Sequence, residues 1–142
     1  MLDTNVLVSG VAGFAAAEGV PGRLLHLWRD RRFELIVSAE ILAEVQRTLA
    51  KPYYRQRLTL EEREDFRLLL QTAATNTLLT ARVFSVATHS EDDLVLDAAV
   101  SGQADYLVTG DKQVQRLEAI QGVRIVSPRY FLTRLEQEGA AG

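Results

Sequence analysis

The sequence contains no cysteine. That excludes disulfide bonds, thiolate zinc sites and a cysteine nucleophile, and it suits a reducing compartment. No apolar run approaches the ~18 residues that cross a bilayer, so no membrane span is expected. No basic segment precedes an apolar one at the start, which argues against a secretory leader. Charge of one sign is also scarce: 16 Lys and Arg stand against 19 Asp and Glu, a formal charge of −3. With so weak a global field, any nucleic acid must be held by a local basic patch. There is no internal repeat and no low-complexity linker. These absences lead to the expectation of a cytoplasmic protein.

What is present is ordinary for a globular chain. The 142 residues are 47% hydrophobic and 25% charged, enough for one domain with a real core and too few for two. That domain is expected over residues 1–138, with 139–142 as a frayed tail. Short β-rich runs alternate with helical patterns. "MLD" reads as a strand end, and "RFELIVS", "DYLVTGD" and "VRIVS" as strands. "LLTARVFSV" reads as a weaker strand. "PGRLLHLWRD" has the apolar spacing of a helix. "AEILAEVQRTLA" is a helix capped by Ser38 and followed by Pro52. "TLEEREDFRLLLQTAA" opens with Thr59 and Glu62 at capping-box spacing. "EDDLVLDAAVSG" is a helix ending at Gly102, and "KQVQRLEAI" is a short helix. "PRYFLTRLEQ" is a helix with Pro128 in its first turn. Strands separated by helices indicate an α/β fold with a mostly parallel sheet covered on both faces. In such sheets ligands bind outside the carboxyl ends of the strands.

Acids fall at those ends. Asp3 closes the first apolar run, and Asp111 follows "YLVTG". Asp92 and Asp93 open a helix, where the helix dipole already favours an acid by roughly 0.3–1 kcal/mol. Asp97 lies one turn after Asp93 on the same face, a like-charge spacing that costs a few tenths of a kcal/mol (roughly 0.2–0.5). Glu44 sits on the shoulder of the apolar stripe formed by Ile41, Leu42, Val45 and Leu49, while Glu40 and Arg47 point toward solvent. Two unit charges ~4 Å apart repel by about 1 kcal/mol even in water. Either these acids are dispersed or a hard cation gathers them, and an oxygen-only site suits Mg2+ or Mn2+. Spacing alone leaves both open. His26 and His89 enter no site.

The chain resembles PIN-domain ribonucleases, in particular the VapC-like toxins of toxin–antitoxin modules. The resemblance rests on "LDTNVLVSG", "SAEILAEVQRTLAKP", "DDLVLDAAVSGQADYLVTGDKQV" and "IVSPRYFL", in that order over nearly the whole chain. It implies a three-layer α/β/α fold with a mostly parallel central sheet of about five strands. It implies that Asp3, Glu44, Asp93 and Asp111 hold Mg2+ or Mn2+. Asp97 corresponds to an additional acid, and Asn5 and Thr109 to polar neighbours that orient the carboxylates while Thr4 and Asn5 turn the chain. The implied activity is metal-assisted hydrolysis of RNA phosphodiesters, with Asp93 or Asp97 as a candidate proton acceptor. The implied partners are a protein antitoxin and a second copy of the chain in a homodimer.

Basic residues for an RNA backbone are Arg23, Arg29, Arg31 and Arg32, then Lys51, Arg55 and Arg57. Lys112, next to Asp111, is the best placed to meet a phosphate. A haloacid-dehalogenase-like phosphatase would also begin with an aspartate at a strand end. It needs a second aspartate two positions later, where this chain has Asn5. A non-catalytic PIN-like scaffold would have lost site acids, and all four stand here. Only Met1 and Leu2 precede Asp3, which at ~3.3 Å per residue is less than half a typical strand of about five or six residues. The expectation is a natural start a few residues upstream, in a β-branched apolar run.

Overall fold

Asp3 starts the first helix. The computed structural model describes residues 1–14, 19–78 and 90–141, with backbone alone for 90–94 and 139–141. The Val6 amide donates to Asp3 Oδ1 at 2.9 Å and the Leu7 amide to the Asp3 carbonyl at 3.0 Å, which is N-cap geometry. Helix α1 (Thr4–Phe14) therefore begins where the sequence suggested a turn. It buries Val6, Leu7, Val8 and Val11. Helix α2 (Gly19–Arg29) packs along it through two glycines. A Cβ on Gly10 would lie 2.6 Å from Leu25 Cδ1, and one on Gly22 would lie 2.9 Å from the Gly13 carbonyl oxygen.

The next elements follow the sequence closely. Strand β1 (Ile36–Ser38) leads into α3 (Ala39–Leu49), whose Ile41 amide donates to the Ser38 hydroxyl at 3.2 Å. Pro52 opens the short α4 (Pro52–Arg55). Helix α5 (Leu60–Ala73) has a complete capping box, with Glu62 N to Thr59 Oγ1 and Thr59 N to Glu62 Oε1 both 3.0 Å. The Thr59 amide, then its hydroxyl contact, holds the Glu62 carboxyl below its ordinary range. Strand β2 (Thr75–Thr77) pairs in parallel with β1. The strand expected over "LLTARVFSV" lies almost wholly outside the described residues. Helix α6 (Ser90–Ser101) stops before Gly102 as expected.

The C-terminal third departs further. Strand β3 (Tyr106–Val108) is followed by α7, only Lys112–Gln115. The rest of the expected helix becomes β4 (Ala119–Ile120), which turns through Gln121 and Gly122 into antiparallel β5 (Val123–Val126). Both turn residues have positive φ, 44° and 86°, as a two-residue hairpin with matching twist requires. Strand β5 also pairs in parallel with β3. Helix α8 runs Pro128–Ala141, so helical backbone continues into the segment expected to fray.

The sheet differs from the expectation. The described residues form two small sheets, β1–β2 and β3–β5–β4, and not one central sheet of about five strands. Residues 1–3 lie against the free edge of β3 with a single parallel bridge, Leu2 to Val108. A segment this short adds one bridge to β3 and does not extend the ladder further. Still, three hydrogen bonds fix the contact: Met1 N to Tyr106 O at 2.8 Å, Val108 N to Met1 O at 2.8 Å, and Asp3 N to Val108 O at 3.0 Å. Burial pushes the Met1 amine down to about 5, with the charge of Asp105 opposing. The core is aliphatic, with Leu2, Leu7, Leu24, Leu25, Leu35, Ile41, Leu70, Leu96, Leu107 and Leu132 fully buried. Among the described residues no helix is long and apolar enough to cross a membrane.

The α1–α2 contact yields a direct test. Gly22→Ala pushes a methyl against backbone, which cannot rotate away, so urea unfolding should show a loss of about 1–3 kcal/mol. An unchanged midpoint would mean that the two helices separate at no cost.

Candidate active site

The site grows from the parallel alignment of residues 1–3 with β3. Parallel strands end on the same side, so Asp3 and the residues after Val108 emerge together. Thr109 is the joint between them. Its hydroxyl donates to Asp3 Oδ2 at 2.5 Å and accepts from the Asp111 amide at 3.1 Å. Thr109 is only 2% exposed. Its amide donates to the Val126 carbonyl at 3.0 Å, and its own carbonyl accepts from Gln115 Nε2 at 2.7 Å. Thus one buried threonine ties two carboxylate residues to β5 and α7.

Asp111 has its own local reason to stand where it does. Its Oδ1 accepts from the Gln113 amide at 2.8 Å and the Val114 amide at 3.4 Å, capping α7. Among the described residues no hydrogen bond engages Oδ2, which leaves that oxygen for a ligand. Lys112, the next residue, is exposed. Beside Asp3 in the chain, the Thr4 hydroxyl is buried with no hydrogen-bond partner among the described residues, which costs roughly 1–3 kcal/mol. Asn5 is exposed in the first turn of α1.

The other expected acids come from two helices. Glu44 is half-buried on α3, as its shoulder position predicted. Helix α3 packs on both α1 and α6. Glu44 lines a cleft of about 450 Å³ with Glu40, Ala43, Arg47, Thr48 and Lys51. Asp93 and Asp97 are one turn apart on α6. Asp97 is 5% exposed, and the Asp93 side chain lies outside the described residues. Among the described residues no three acidic or histidine side chains form a metal cage. The structure therefore brings Asp3 and Asp111 together through Thr109, and sets Glu44, Asp93 and Asp97 on helices that pack nearby. The donor chemistry itself, carboxylate and hydroxyl oxygens, fits a hard divalent cation.

Sequence reasoning missed Gln115 and the orphaned Thr4 hydroxyl. Gln115 carries no pattern that marks it, because its target is a backbone carbonyl. Thr4 looked like a turn residue, since threonine beside asparagine is common in turns.

With this geometry in place, comparison with known families is decisive. Residues 1–113 match the family described as PIN domain. The chain belongs to the PIN-domain family. The matched stretch contains Asp3, Glu44, Asp93, Asp97 and Asp111 and ends two residues beyond the last. PIN domains are generally nucleases and typically use divalent metals. No curated protein and no solved structure matches the chain.

The role of Thr109 in this PIN domain is separable from packing. Thr109→Val keeps the shape and removes the hydroxyl, leaving Asp3 Oδ2 and the Asp111 amide without it. Hydrolytic activity should fall about 10- to 100-fold, as for other groups that orient ligands. Thr109→Ser should retain most of the activity. Equal loss in both variants would assign Thr109 to packing alone.

Proposed function

We propose that this PIN domain is a metal-dependent endoribonuclease and the toxin of a toxin–antitoxin module, acting in the cytoplasm. The observation that supports the reading most is the Asp3–Thr109–Asp111 array at the carboxyl ends of two parallel segments. In a family of nucleases, an acid pair held in register by a buried hydroxyl is a site for phosphodiester chemistry, where charge builds on the phosphoryl oxygens. The residues that would hold Mg2+ or Mn2+ are Asp3, Glu44, Asp93 and Asp111. Such an ion would supply Lewis-acid stabilisation of the developing charge and a water of lowered pKa.

The chain's own groups do the rest. Thr109 fixes the Asp3 carboxylate through Oδ2, while the Val6 amide fixes it through Oδ1. The Gln113 and Val114 amides hold the Asp111 carboxylate in one direction through Oδ1. Asp93 or Asp97 takes the proton of the attacking water. Lys112, exposed beside Asp111, meets a substrate phosphate. A phosphatase that needs an acid two positions after the first is disfavoured, because that position is the exposed Asn5.

Cleavage of a labelled RNA in Mg2+ or Mn2+ should be abolished by EDTA, by Asp3→Asn and by Asp93→Asn. Asp97→Asn should cost less than Asp93→Asn, and an equal loss would make Asp97 a primary ligand. Cleavage that persists in EDTA would sink the proposal.

The toxin reading adds two partners. An antitoxin would block the acidic pocket, presenting a basic side chain to carboxylates that lack their cation. A homodimer is the expected resting assembly. Light scattering should give twice the mass of one chain at tens of micromolar (roughly 10–100 μM, where a Kd of about 1 μM is saturated), and a monomer there would remove the dimer. Expression without the antitoxin should arrest bacterial growth; unchecked growth would remove the toxin role and leave the nuclease.

A further inference from the structure

Between Glu44 and Glu61 there is no acidic residue, yet the stretch carries Arg47, Lys51, Arg55 and Arg57. Four positive charges thus gather in a chain whose formal charge is −3. All four side chains are exposed. None of them takes part in an ion pair among the described residues, whose salt bridges use Arg23, Arg29, Arg67 and Arg134 instead. Arg47 and Lys51 line the same cleft as Glu44. Lys51 is also the residue that begins α4, so the basic surface runs without a break from that cleft onto α4.

Helix α4 adds aromatic surface. Tyr53 is 55% exposed. The Arg57 guanidinium lies 3.6 Å from the centre of the Tyr53 ring and donates to the Tyr53 carbonyl at 2.8 Å. Tyr54 contacts Tyr53 edge to face and packs against the core, and Leu58 is buried. The platform is therefore anchored from below, and its outer face presents a ring and cations together. At ~1.5 Å per helical residue, the end of α3 at Leu49 is already about 7.5 Å beyond Glu44, and Lys51 follows it. That is a separation of nucleotides along a strand and not of atoms within one phosphate.

We propose that the α3–α4 ridge from Arg47 to Arg57 is a binding track for single-stranded RNA that leads the strand to Glu44. The proposal rests on the nuclease reading for its direction but is independent of it for binding. Arg47 and Lys51 neutralise the phosphates next to the cleaved bond. Tyr53 stacks an unpaired base, with Arg57 holding the ring and meeting the adjoining phosphate. An acidic protein would use the cations but has no base to place on Tyr53. Paired bases cannot reach the ring either, so the track selects single strands.

The test is anisotropy of a fluorescent 12-nucleotide oligouridylate in EDTA, where no cleavage complicates binding. Arg47→Ala with Lys51→Ala should weaken binding at low salt and reduce the slope of log affinity against log salt by about 1.4. Tyr53→Ala should weaken it about tenfold, and Tyr53→Phe should not. Arg134→Ala, which breaks an exposed ion pair with Glu138, should leave binding unchanged. A duplex of the same length should bind more weakly, and polyglutamate of equal charge should displace the RNA poorly. Wild-type affinity in all the ridge variants would overturn the track, and so would equal competition by polyglutamate. If the ridge variants lose binding while the wild type shows no cleavage in Mg2+ or Mn2+, the track stands and the nuclease reading falls.

Discussion

The acidic end of this molecule depends on three backbone hydrogen bonds that hold residues 1–3 against β3. They set the register that puts Leu2 opposite Val108, and thereby Asp3 beside Thr109. A slip of one residue would turn Leu2 out of the core and Asp3 away from the threonine. Leu2, Leu107 and Val108 are fully buried, so the slip would expose apolar surface as well as break the site. Core packing and site geometry are therefore enforced by the same register.

Asp3 and Asp111 show how local structure places a carboxylate at the end of a strand. Each of the two that meet at Thr109 has a structural duty of its own. Asp3 caps α1 and Asp111 caps α7. In both, backbone amide N–H groups donate to the carboxylate and fix its direction. These capping roles explain the residues without any chemistry. What they leave unexplained is the buried Thr109 hydroxyl that joins the two residues, and the Thr4 hydroxyl that has no partner among the described residues. At Thr4 an apolar group would avoid the cost of an unmade hydrogen bond.

Charge is distributed on the same logic. Exposed ion pairs such as Arg23–Glu136 at 2.7 Å contribute little to stability in water. The cations of the α3–α4 ridge form no ion pair among the described residues, and Arg57 lies instead on the Tyr53 ring. The proposed RNA track would put these charges to use, in a chain whose formal charge of −3 supplies no general attraction for a polyanion.

How much of this was legible without coordinates depends on whether the signal was local. Ser38 as a cap, the Thr59–Glu62 box, the stop before Gly102 and the shoulder position of Glu44 were all readable, because each depends on residues within a turn or two. Membership of the PIN family was readable from the order of the acid motifs. Helix α1 was not, because its valines and two glycines disfavour helix and burial on α2 and α3 overrides them. Strand β2 was not, because "TNT" has no apolar alternation; it is a strand since Thr75 N donates to Leu35 O at 2.8 Å and β1 lies beside it. Strand β4 was hidden inside a helical pattern and exists only because β5 offers a free edge. The sequence by itself determined which acids are available and which helices carry them. Only tertiary structure decided that Asp3 and Asp111, more than a hundred residues apart, share one hydroxyl, because that contact is made by strand register, and register is a property of the whole sheet.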